Sequence, residues 1–366
     1  MTFDPGIPYN SLPPLPPAAD LETKTVLKAA LGANVALARL REAGKTIPNQ
    51  DILISSIPLL EAAASSEIEN IFTTTDTLYR AITIPQEQTD PQTKEVLNYR
   101  KALYAGFNYL NEGGKPDTEL FEKVCSTILG EKTTRREIGV YIGNRYMQVY
   151  TPPDDPKVID ELLEQLLEYV LKETEIDPLI RLSLAHYQFE AIPPFLDGNG
   201  RTGRVINILF LVYLGILDIP VLYLSRYIIK NKGDYYAKLN AVTAKGEWEN
   251  WVLYMLDAIG DTADWTYGRI NLIRELMDST REFCRENLPK NVYSHELIEQ
   301  IFLQPYCKPA HLVEAGIGHR QTAMKYLKEL ENIGVLESRK IGRDRIYVNV
   351  RLYELLKYDS LEIVKE

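Results

Sequence analysis

The sequence has few cysteines and few histidines, and both shortages limit the chemistry open to it. Its 366 residues contain three cysteines, Cys125, Cys284 and Cys307, and four histidines. The cysteines are far apart and odd in number, which argues against a disulfide framework and against the paired spacing of a zinc site. We therefore expect a chain that works in a reducing compartment.

Long apolar runs and an excess of basic charge are also lacking. The longest apolar stretch, residues 205–217, is interrupted by Asn207 and Gly215 and is too short to cross a bilayer. Residues 1–17 have neither the basic segment nor the apolar segment of a signal peptide. The net charge of -10 argues against a surface that coats DNA or an acidic membrane. These absences predict a cytoplasmic chain with no membrane partner.

The composition is that of a globular protein. Of the 366 residues, 45% are apolar and 25% are charged, which suits a folded chain of roughly two or three domains. Residues 1–20 are rich in proline and are predicted to be extended, either wrapping the surface or mobile. No repeat of fixed period is found in the sequence.

Helical periodicity dominates the following hundred or so residues. Apolar residues recur at spacings of three and four from Leu21, and Gly44, followed by Pro48, predicts the end of this first helix. A second helix is predicted from Asn49, with Pro58 as a candidate break. Two further amphipathic helices are predicted at 93–110 and 117–130.

A short hairpin is predicted to interrupt the helices. Strand-forming residues at alternate positions flank Gly143-Asn144, which predicts two strands joined by a turn. Helices then resume, among them an almost wholly apolar one at 198–214 that Gly215 is expected to end. The fold is therefore predicted to be mainly α-helical.

Residues 291–366 form a separate module in the sequence. Their pattern is helix, glycine turn, helix, then a hairpin with Gly342-Arg343-Asp344 at its tip, which predicts a winged helix-turn-helix. Acidic residues elsewhere in the module roughly cancel its modest basic face, which comprises Lys325, Lys328, Arg339, Lys340, Arg343 and Arg345. Such modules contact DNA or serve as protein-contact and dimerisation units, and this charge balance favours a partner protein or a homodimer.

The segment PFLDGNGRTGR, residues 194–204, has the features of a phosphate-binding loop. Gly198 and Gly200 allow backbone N–H groups to point inward, and the helix that follows adds unpaired N–H groups and the positive end of its dipole. Asn199 can donate its side-chain amide to a phosphate oxygen. Because these residue types converge on one helix start, a functional site is favoured over an ordinary glycine turn.

Charged side chains complete this candidate site. Asp197 lies at the mouth of the loop, where a single carboxylate can bind Mg²⁺ together with phosphate oxygens and water. Arg201 and Arg204 are one helical turn apart, so that both can reach outer phosphates with forked donors. The structural alternative is that the two arginines only form salt bridges.

These residues resemble the signature of Fic-domain proteins, His-x-Phe-x-Asp-Gly-Asn-Gly-Arg-x-x-Arg. Seven positions agree in register, namely Phe195, Asp197, Gly198, Asn199, Gly200, Arg201 and Arg204. The resemblance implies a Fic-like helical core that transfers AMP from ATP to a Ser, Thr or Tyr hydroxyl. The acceptor would belong to a target protein or to the chain itself.

The resemblance also implies roles for individual residues. Asp197 would hold Mg²⁺, Asn199 and the loop amides would contact the α-phosphate, and Arg201 and Arg204 would contact the outer phosphates. The hairpin near Gly143 resembles the flap that clamps a target segment, and Tyr235-Tyr236 lies where the family often places residues near the adenine. The nucleotide-binding set implied in this way is Gly198, Asn199, Gly200, Arg201, Thr202, Gly203, Arg204 and Tyr236.

The segment SSEIEN resembles the inhibitory motif of the same family, with Ser65, Glu69 and Asn70 at its fixed positions. Ser65 and Glu69 are four residues apart and so share one helix face. A contact between Glu69 and Arg204 would occupy the place of a γ-phosphate and leave ATP in a pose unsuited to attack. The alternative is an ordinary solvated helix end with Asn70 near its C-cap.

The general-base histidine of the signature is missing, because Pro193 occupies its position. His186 is seven residues upstream, roughly 10 Å along a helix, which is too far to replace it directly, so we expect it either to be a packing residue or to orient the loop. Asn199 and Arg201 remain as candidate catalytic residues. We predict slow or undetectable transfer by this chain, whether Pro193 is natural or introduced.

Five segments are predicted along the chain. They are a proline-rich segment (1–20), an N-terminal helical region with the inhibitory motif (21–94), a Fic-like core (95–265), a linking helix (266–290) and the winged-helix module (291–366). Two other functions stay open, a nucleotide-binding regulator or pseudoenzyme that acts through the winged helix on DNA or a protein, and a related reaction such as removal of AMP.

Overall fold

The computed structural model describes residues 3–84, 89–144, 147–341 and 344–357, and the mainly helical prediction is confirmed. The helices are α1 (Lys24–Thr46), α2 (Asp51–Ile68), α3 (Thr75–Thr83), α4 (Pro91–Asn111), α5 (Thr118–Leu129), α6 (Pro156–Lys172), α7 (Pro178–Ala191), α8 (Asn199–Tyr213), α9 (Leu224–Lys230), α10 (Lys232–Lys245), α11 (Trp248–Asn287), α12 (His295–Phe302), α13 (Pro309–Glu314), α14 (Arg320–Asn332) and α15 (Val350–Lys357). The strands are β1 (Ile142–Asn144), β2 (Met147–Tyr150), β3 (Tyr306–Cys307), β4 (Glu337–Ile341) and β5 (Asp344–Val348).

The predicted apolar helix, α8, lies at the centre of the core. Every residue from Arg201 to Leu211 is buried, and α4, α5 and α7 pack around the helix. Close approach of α4 requires Gly106, since a Cβ atom there would come within 2.3 Å of Leu209. Gly215, at φ 69°, ends the helix as predicted. This packing makes α8 a rigid support for whatever its N-terminus holds.

The predicted end of the first helix at Gly44 is wrong, because α1 continues to Thr46. Gly44 is buried within the helix, where an added Cβ atom would lie 3.9 Å from Ile219. The helix stops instead before Pro48, whose ring disfavours helical backbone at the preceding residue, and Ile47 is extended with ψ 125°. The proline, rather than the glycine, sets this boundary.

The candidate break at Pro58 is also absent, because α2 is continuous from Asp51 to Ile68. Proline has no N–H to donate to the carbonyl of Ile54, four residues earlier. The hydroxyl of Tyr104 in α4 donates to that carbonyl instead. A tertiary contact therefore satisfies the carbonyl that the proline leaves free.

The predicted pair of strands is present, but the prediction that Gly143-Asn144 form the turn is wrong. Both residues belong to β1, because Gly143 pairs with Gln148 and Asn144 with Met147. β1 and β2 pair antiparallel, and residues 145–146 at the tip of this hairpin lie outside the described part of the chain. We call residues 138–153 the flap. The proline-rich segment wraps against it, since Tyr9 N–H donates to Thr151 O at 3.0 Å and the rings of Phe3 and Tyr9 lie 6.4 and 6.3 Å from that of Tyr150.

The C-terminal module contains α12 to α15 and a three-stranded antiparallel sheet in the order β3-β5-β4. Gly342 and Arg343 at the predicted hairpin tip lie outside the described residues. The module packs against α3, where the rings of Tyr79 and Tyr306 lie 5.9 Å apart. Helix α11 passes through the predicted boundary at residue 265 and carries the chain to this module.

No helix within the described residues is long and apolar enough to cross a membrane.

We predict that Tyr104→Phe lowers the free energy of unfolding by about 1–3 kcal/mol, because it leaves the carbonyl of Ile54 without its donor. Urea denaturation of the variant and the parent measures the difference. Tyr326→Phe is the control, since that hydroxyl also donates to a backbone carbonyl, Asn291 O at 2.9 Å, but at an exposed position. Equal losses in both variants would contradict the prediction.

Candidate active site

A cavity of about 430 Å³ lies at the N-terminus of α8. The loop before α8, the end of α2, the first turn of α10 and the flap all contribute to its walls. Acidic, basic and aromatic side chains line it, including Glu69, Glu95, Asp197, Arg204 and Tyr236. Residues distant in sequence are therefore gathered around the predicted phosphate loop.

The loop that enters α8 is shaped by Gly198 and Asn199. Gly198 has φ 78°, a left-handed conformation that favours glycine, and its N–H donates to the Asp197 carboxylate at 2.6 Å. Asn199 accepts from Phe195 N–H and donates to Phe195 O, both at 2.8 Å. Its amide is thus bonded to the loop backbone, and donation to a phosphate would require that contact to open.

The N-terminus of α8 faces the cavity without a side-chain cap. Its first-turn N–H groups have no partner within the helix and carry the positive end of the dipole. Gly200 belongs to this turn and, unlike Gly198, has no positive φ. Its lack of a side chain leaves room for others, since a Cβ atom would lie 2.6 Å from Glu69 Oε1 and 3.1 Å from Arg204 Nη1.

Arg201 is buried between two carboxylates. Its guanidinium pairs with Glu95 of α4 and lies 3.6 Å from Asp197. The Arg201 side chain is 4% exposed, whereas that of Asp197 is 76% exposed at the cavity mouth. Arg201 is therefore fixed in place, and Asp197 keeps carboxylate surface open to solvent.

Arg204 is the most enclosed charge in the site, with 1% of its side chain exposed. Its Nη2 lies 2.7 Å from Glu69 Oε1 and donates to Ser65 O at 3.0 Å, while its Nε donates to Ser65 Oγ at 2.8 Å. Burial by itself lowers the pKa of Arg204, but the charge of Glu69, with contributions from Tyr235 and Glu190, raises it above the usual value. The guanidinium thus stays charged and bonded to the end of α2.

Asn70 turns the chain immediately after Glu69. It is the non-glycine residue with positive φ, 62°, among the described residues. Its N–H donates to Glu67 O at 2.9 Å, and Ile71 N–H donates to Ser66 O at 3.0 Å, which closes the end of α2 as a Schellman motif. Asparagine and glycine tolerate this backbone best, so the residue type at 70 is explained by geometry.

A buried carboxyl anchors α2 further along. Glu61 accepts from Tyr99 Oη at 2.9 Å in α4 and from Ser225 N at 2.8 Å in α9. Burial raises the pKa of Glu61, and the hydrogen bonds from Ser225 and Tyr99 oppose that rise. These bonds hold α2 at a fixed position relative to α8.

Pro193 is buried in the cavity wall at the position where the signature has its histidine. His186 does not replace it, because it is 1% exposed and its Nε2 lies 2.9 Å from Tyr235 Oη. Its ring stacks on Trp251 with centroids 5.9 Å apart. Burial and the charge of Arg204 lower the pKa of His186 to about 3, so it is a neutral packing residue, as predicted.

Glu190 is a carboxyl in the cavity wall that the sequence did not single out. Its Oε1 is buried without a hydrogen-bond partner among the described residues and packs against Gly203, where a Cβ atom would come within 2.6 Å. Burial raises the pKa of Glu190 to about 7, Arg204 opposes the rise and Glu69 adds to it. It is thus a second carboxyl close to the Arg204 charge.

The structure separates the predicted site residues into two groups. Those that line the cavity are Glu69, Pro193, Asp197, Gly198, Asn199, Gly200, Arg201, Arg204 and Tyr236. The other predicted residues are not part of the cavity wall. Thr202 is buried, Gly203 packs on Phe189, Ser65 accepts a hydrogen bond from Arg204, and Asn70 turns the chain.

Three residues that contact the site were missed. Glu95 and Arg136 are far from the signature and had no local signal, since each reaches the loop only through the fold. Glu190 lies three residues before Pro193. Its position near the end of the predicted helix 178–191 was the only indication in the sequence that it contacts the site.

Three parts of the chain match known protein families. Residues 27–108 match the Fic/DOC family N-terminal profile, 118–211 match the Fic/DOC family and 276–352 match the C-terminal domain of protein adenylyltransferase SoFic-like. A probable protein adenylyltransferase of Aquifex aeolicus is 23% identical over 254 residues, covering 67% of this chain and 72% of that protein. Protein adenylyltransferase fic-1 of Caenorhabditis elegans is 32% identical over 116 residues, 30% of this chain and 22% of that protein.

Solved structures show a similar fold. A Fic family protein from Desulfovibrio desulfuricans G20 has a TM-score of 0.56 at 21% identity, covering 92% of this chain and 98% of that one. Fic-1 of C. elegans, residues 134–508, has a TM-score of 0.52 at 19% identity, covering 68% and 74%. At these identities the likeness concerns the fold alone.

We predict that Glu190→Gln stabilises the protein above neutral pH. Because the folded-state pKa of about 7 exceeds that of an unfolded glutamate, the native state binds the extra proton and loses stability as pH rises from about 4.3 to 7. At pH 8 the variant should gain on the order of 1–3 kcal/mol, and the gain should shrink toward pH 4. Urea unfolding at both pH values, with the exposed Glu164→Gln as control, measures this, and a pH-independent difference would contradict it.

Proposed function

We propose that this chain, which belongs to the Fic/DOC family, is a protein adenylyltransferase scaffold that is restrained by Glu69 and impaired by Pro193. The reaction would transfer AMP from ATP to a Ser, Thr or Tyr hydroxyl of a target protein or of the chain itself. The observation that carries the proposal is the cavity at the α8 N-terminus, where the phosphate loop, two arginines and the flap meet.

Binding of the nucleotide phosphates is supported by the charges around the loop. The N–H groups of the first turn of α8 and the dipole of that helix favour an anion in the cavity. Arg201 and Arg204 add two guanidinium groups at its wall, although carboxylates now occupy both. Tyr236 lines the same cavity and is our candidate for contact with the adenine.

The donor set fits Mg²⁺ only together with phosphates. Within the described residues no cluster of three histidine, cysteine or acidic side chains could hold a metal ion. Asp197 offers one exposed carboxylate, which is what Mg²⁺ needs when phosphate oxygens and water supply the other ligands. Bound there, the ion would neutralise charge that develops on the phosphates.

The restraint by Glu69 rests on its place in the cavity. Its carboxylate lies directly over Gly200 and holds the guanidinium of Arg204. A phosphate at that position would have to displace it, and the like charges of carboxylate and phosphate repel each other. ATP should therefore bind weakly or in a pose that does not favour attack while Glu69 stays.

Pro193 affects a different step. Proline has no ionisable group, so it cannot take the proton from the acceptor hydroxyl, whereas the phosphate contacts come from residues further along. Loss of a general base typically costs about 10²–10⁴ in rate. The chain should thus bind nucleotide yet transfer it poorly.

We predict that Pro193→His raises AMP transfer by about 10²–10⁴, because it restores a proton acceptor in the cavity wall. The experiment incubates parent, Pro193→His, Glu69→Gly and the double variant with ATP and Mg²⁺, alone and in a lysate, and detects AMP on protein by mass spectrometry. Pro193→Ala is the matched control, since it removes the proline but adds no base. Absence of transfer by every variant while ATP still binds would reject the transferase in favour of a regulator.

We also predict that Glu69→Gly tightens ATP binding by at least about tenfold, because it frees a charged donor worth roughly 1.5–3 kcal/mol to a phosphate. Calorimetric titration of ATP·Mg²⁺ gives the dissociation constants. Glu67→Gly is the control, since Glu67 is exposed at the same helix end. Identical titration curves for Glu69→Gly and the parent, together with an unchanged pose of bound ATP in crystals of the two, would refute the restraint.

The alternative function is a nucleotide-binding regulator that acts through the C-terminal module. It is supported by Pro193 and by exposed residues at the start of α14, among them Arg320 and Lys325. Lys328 is less available, since it pairs with Glu331 at 2.9 Å. Duplex-DNA affinity measured at several salt concentrations distinguishes a DNA-contacting module from a protein-contact or dimerisation module. Contact with DNA gives a steep salt slope, and the other two roles do not.

A further inference from the structure

Arg136 binds the cavity wall from behind. Its backbone N–H donates to Pro194 O at 2.8 Å, and its Nε donates to Pro193 O at 2.8 Å. Its Nη2 donates to Ile192 O at 3.3 Å. The whole turn that holds residue 193 is therefore bonded to one arginine.

The same guanidinium also binds both ends of the flap. Its Nη1 donates to Ile138 O at 2.8 Å, just before β1, and its Nη2 donates to Pro153 O, just after β2. Arg136 is 2% exposed, and burial lowers its pKa. One buried cation thus joins three backbone segments that are separate in sequence.

The chemistry of the turn explains why an arginine is there. Pro193 and Pro194 have no N–H groups, so this buried turn offers carbonyl acceptors and almost no donors. Arginine is the complement, with five donors and no acceptor in a fixed planar array. Residue 193 contributes its carbonyl and not its side chain to these hydrogen bonds, so they do not depend on the residue type at that position.

We propose that Arg136 is a positioning residue that couples the flap to the turn of residue 193. The flap contributes Tyr141 and Ile142 to the cavity wall and the turn contributes Pro193, so a shift of one relative to the other must break hydrogen bonds to Arg136. Within the described residues, the phosphate cradle (197–201) and the rest of α8 share no hydrogen bond with Arg136, whose contacts with this segment end at Pro194 O. A segment that docks on the flap would therefore move residue 193 without moving the phosphate cradle.

This inference rests on the proposed function for its catalytic consequence, but the coupling itself can be measured without activity. A second contact joins the same two parts, since Tyr150 Oη of β2 donates to Ala191 O at 2.8 Å. Tyr150→Phe removes this link and keeps the ring packed. Arg136→Lys keeps the charge but cannot reach all the carbonyls at once. Arg135→Lys is the control, because the Arg135 guanidinium pairs with Asp160 and donates to Arg136 O at 3.2 Å rather than to a carbonyl of the turn.

Hydrogen exchange tests the coupling in the otherwise native chain. In Arg136→Lys, and less strongly in Tyr150→Phe, amides at 138–144 and at residues 191, 192, 195 and 196 should exchange about tenfold faster or more, while α8 and the Arg135→Lys protein stay unchanged. Faster exchange in one segment alone, or equally throughout the chain, would overturn the proposal. Loss of the folded state in Arg136→Lys together with no change in Tyr150→Phe would also overturn it.

Kinetics in a Pro193→His, Glu69→Gly background test the consequence. Arg136→Lys should lower kcat about 10²-fold, the size expected for a misplaced catalytic group, and leave the dissociation constant of ATP within about twofold. Unchanged kcat with accelerated exchange would reduce Arg136 to a structural residue and overturn the positioning role. If the background protein itself transfers nothing, the proposed function fails, and the exchange result still decides the coupling.

Discussion

The site depends on one buried cation. The guanidinium of Arg204 is almost fully enclosed, and an unpaired charge at such a depth would cost several kcal/mol, so the surrounding chain has to supply acceptors. Glu69 and Ser65 supply them from a single turn at the end of α2. Because Glu61 bonds the middle of α2 to α4 and α9, the helix is held where its last turn meets Arg204. The charge on α8 and the position of α2 thus fix each other.

Several residue types follow from this pairing. Gly200 has to lack a side chain because the carboxylate of Glu69 fills that space, and Gly203 makes room for Glu190 in the same way. Asn70 supplies the left-handed turn that ends α2 immediately after Glu69. The glycines of the loop and of the first turns of α8 therefore have two different roles. Gly198 shapes the loop, while Gly200 and Gly203 let carboxyl groups approach the helix that carries Arg204.

At residue 193 the backbone and the side chain have separate roles in this chain. The turn around it is bonded through carbonyl groups, which proline has as well as histidine, so the cavity keeps its shape without the base. The side chain that would accept a proton is absent, and the nearby His186 is neutral, buried and bonded to Tyr235. A site can therefore keep the backbone contacts that shape its cavity and still lack the group for one step of a reaction.

The sequence by itself determined what depends on local pattern. Periodicity predicted α8 and its glycine stop, the alternating strand-forming residues predicted the two strands of the flap but not the position of their turn, and the spacing of the signature predicted which side chains share one helix start. Pro48 fixes the stop of α1 locally, whereas the continuity of α2 through Pro58 and the partners of Arg201 were decided by tertiary structure. In each of the last two cases a distant group, the Tyr104 hydroxyl or the Glu95 carboxylate, satisfies an acceptor or a charge that the local sequence leaves open. The pKa of Glu190 was also decided by tertiary structure, since only its burial distinguishes it from an exposed glutamate.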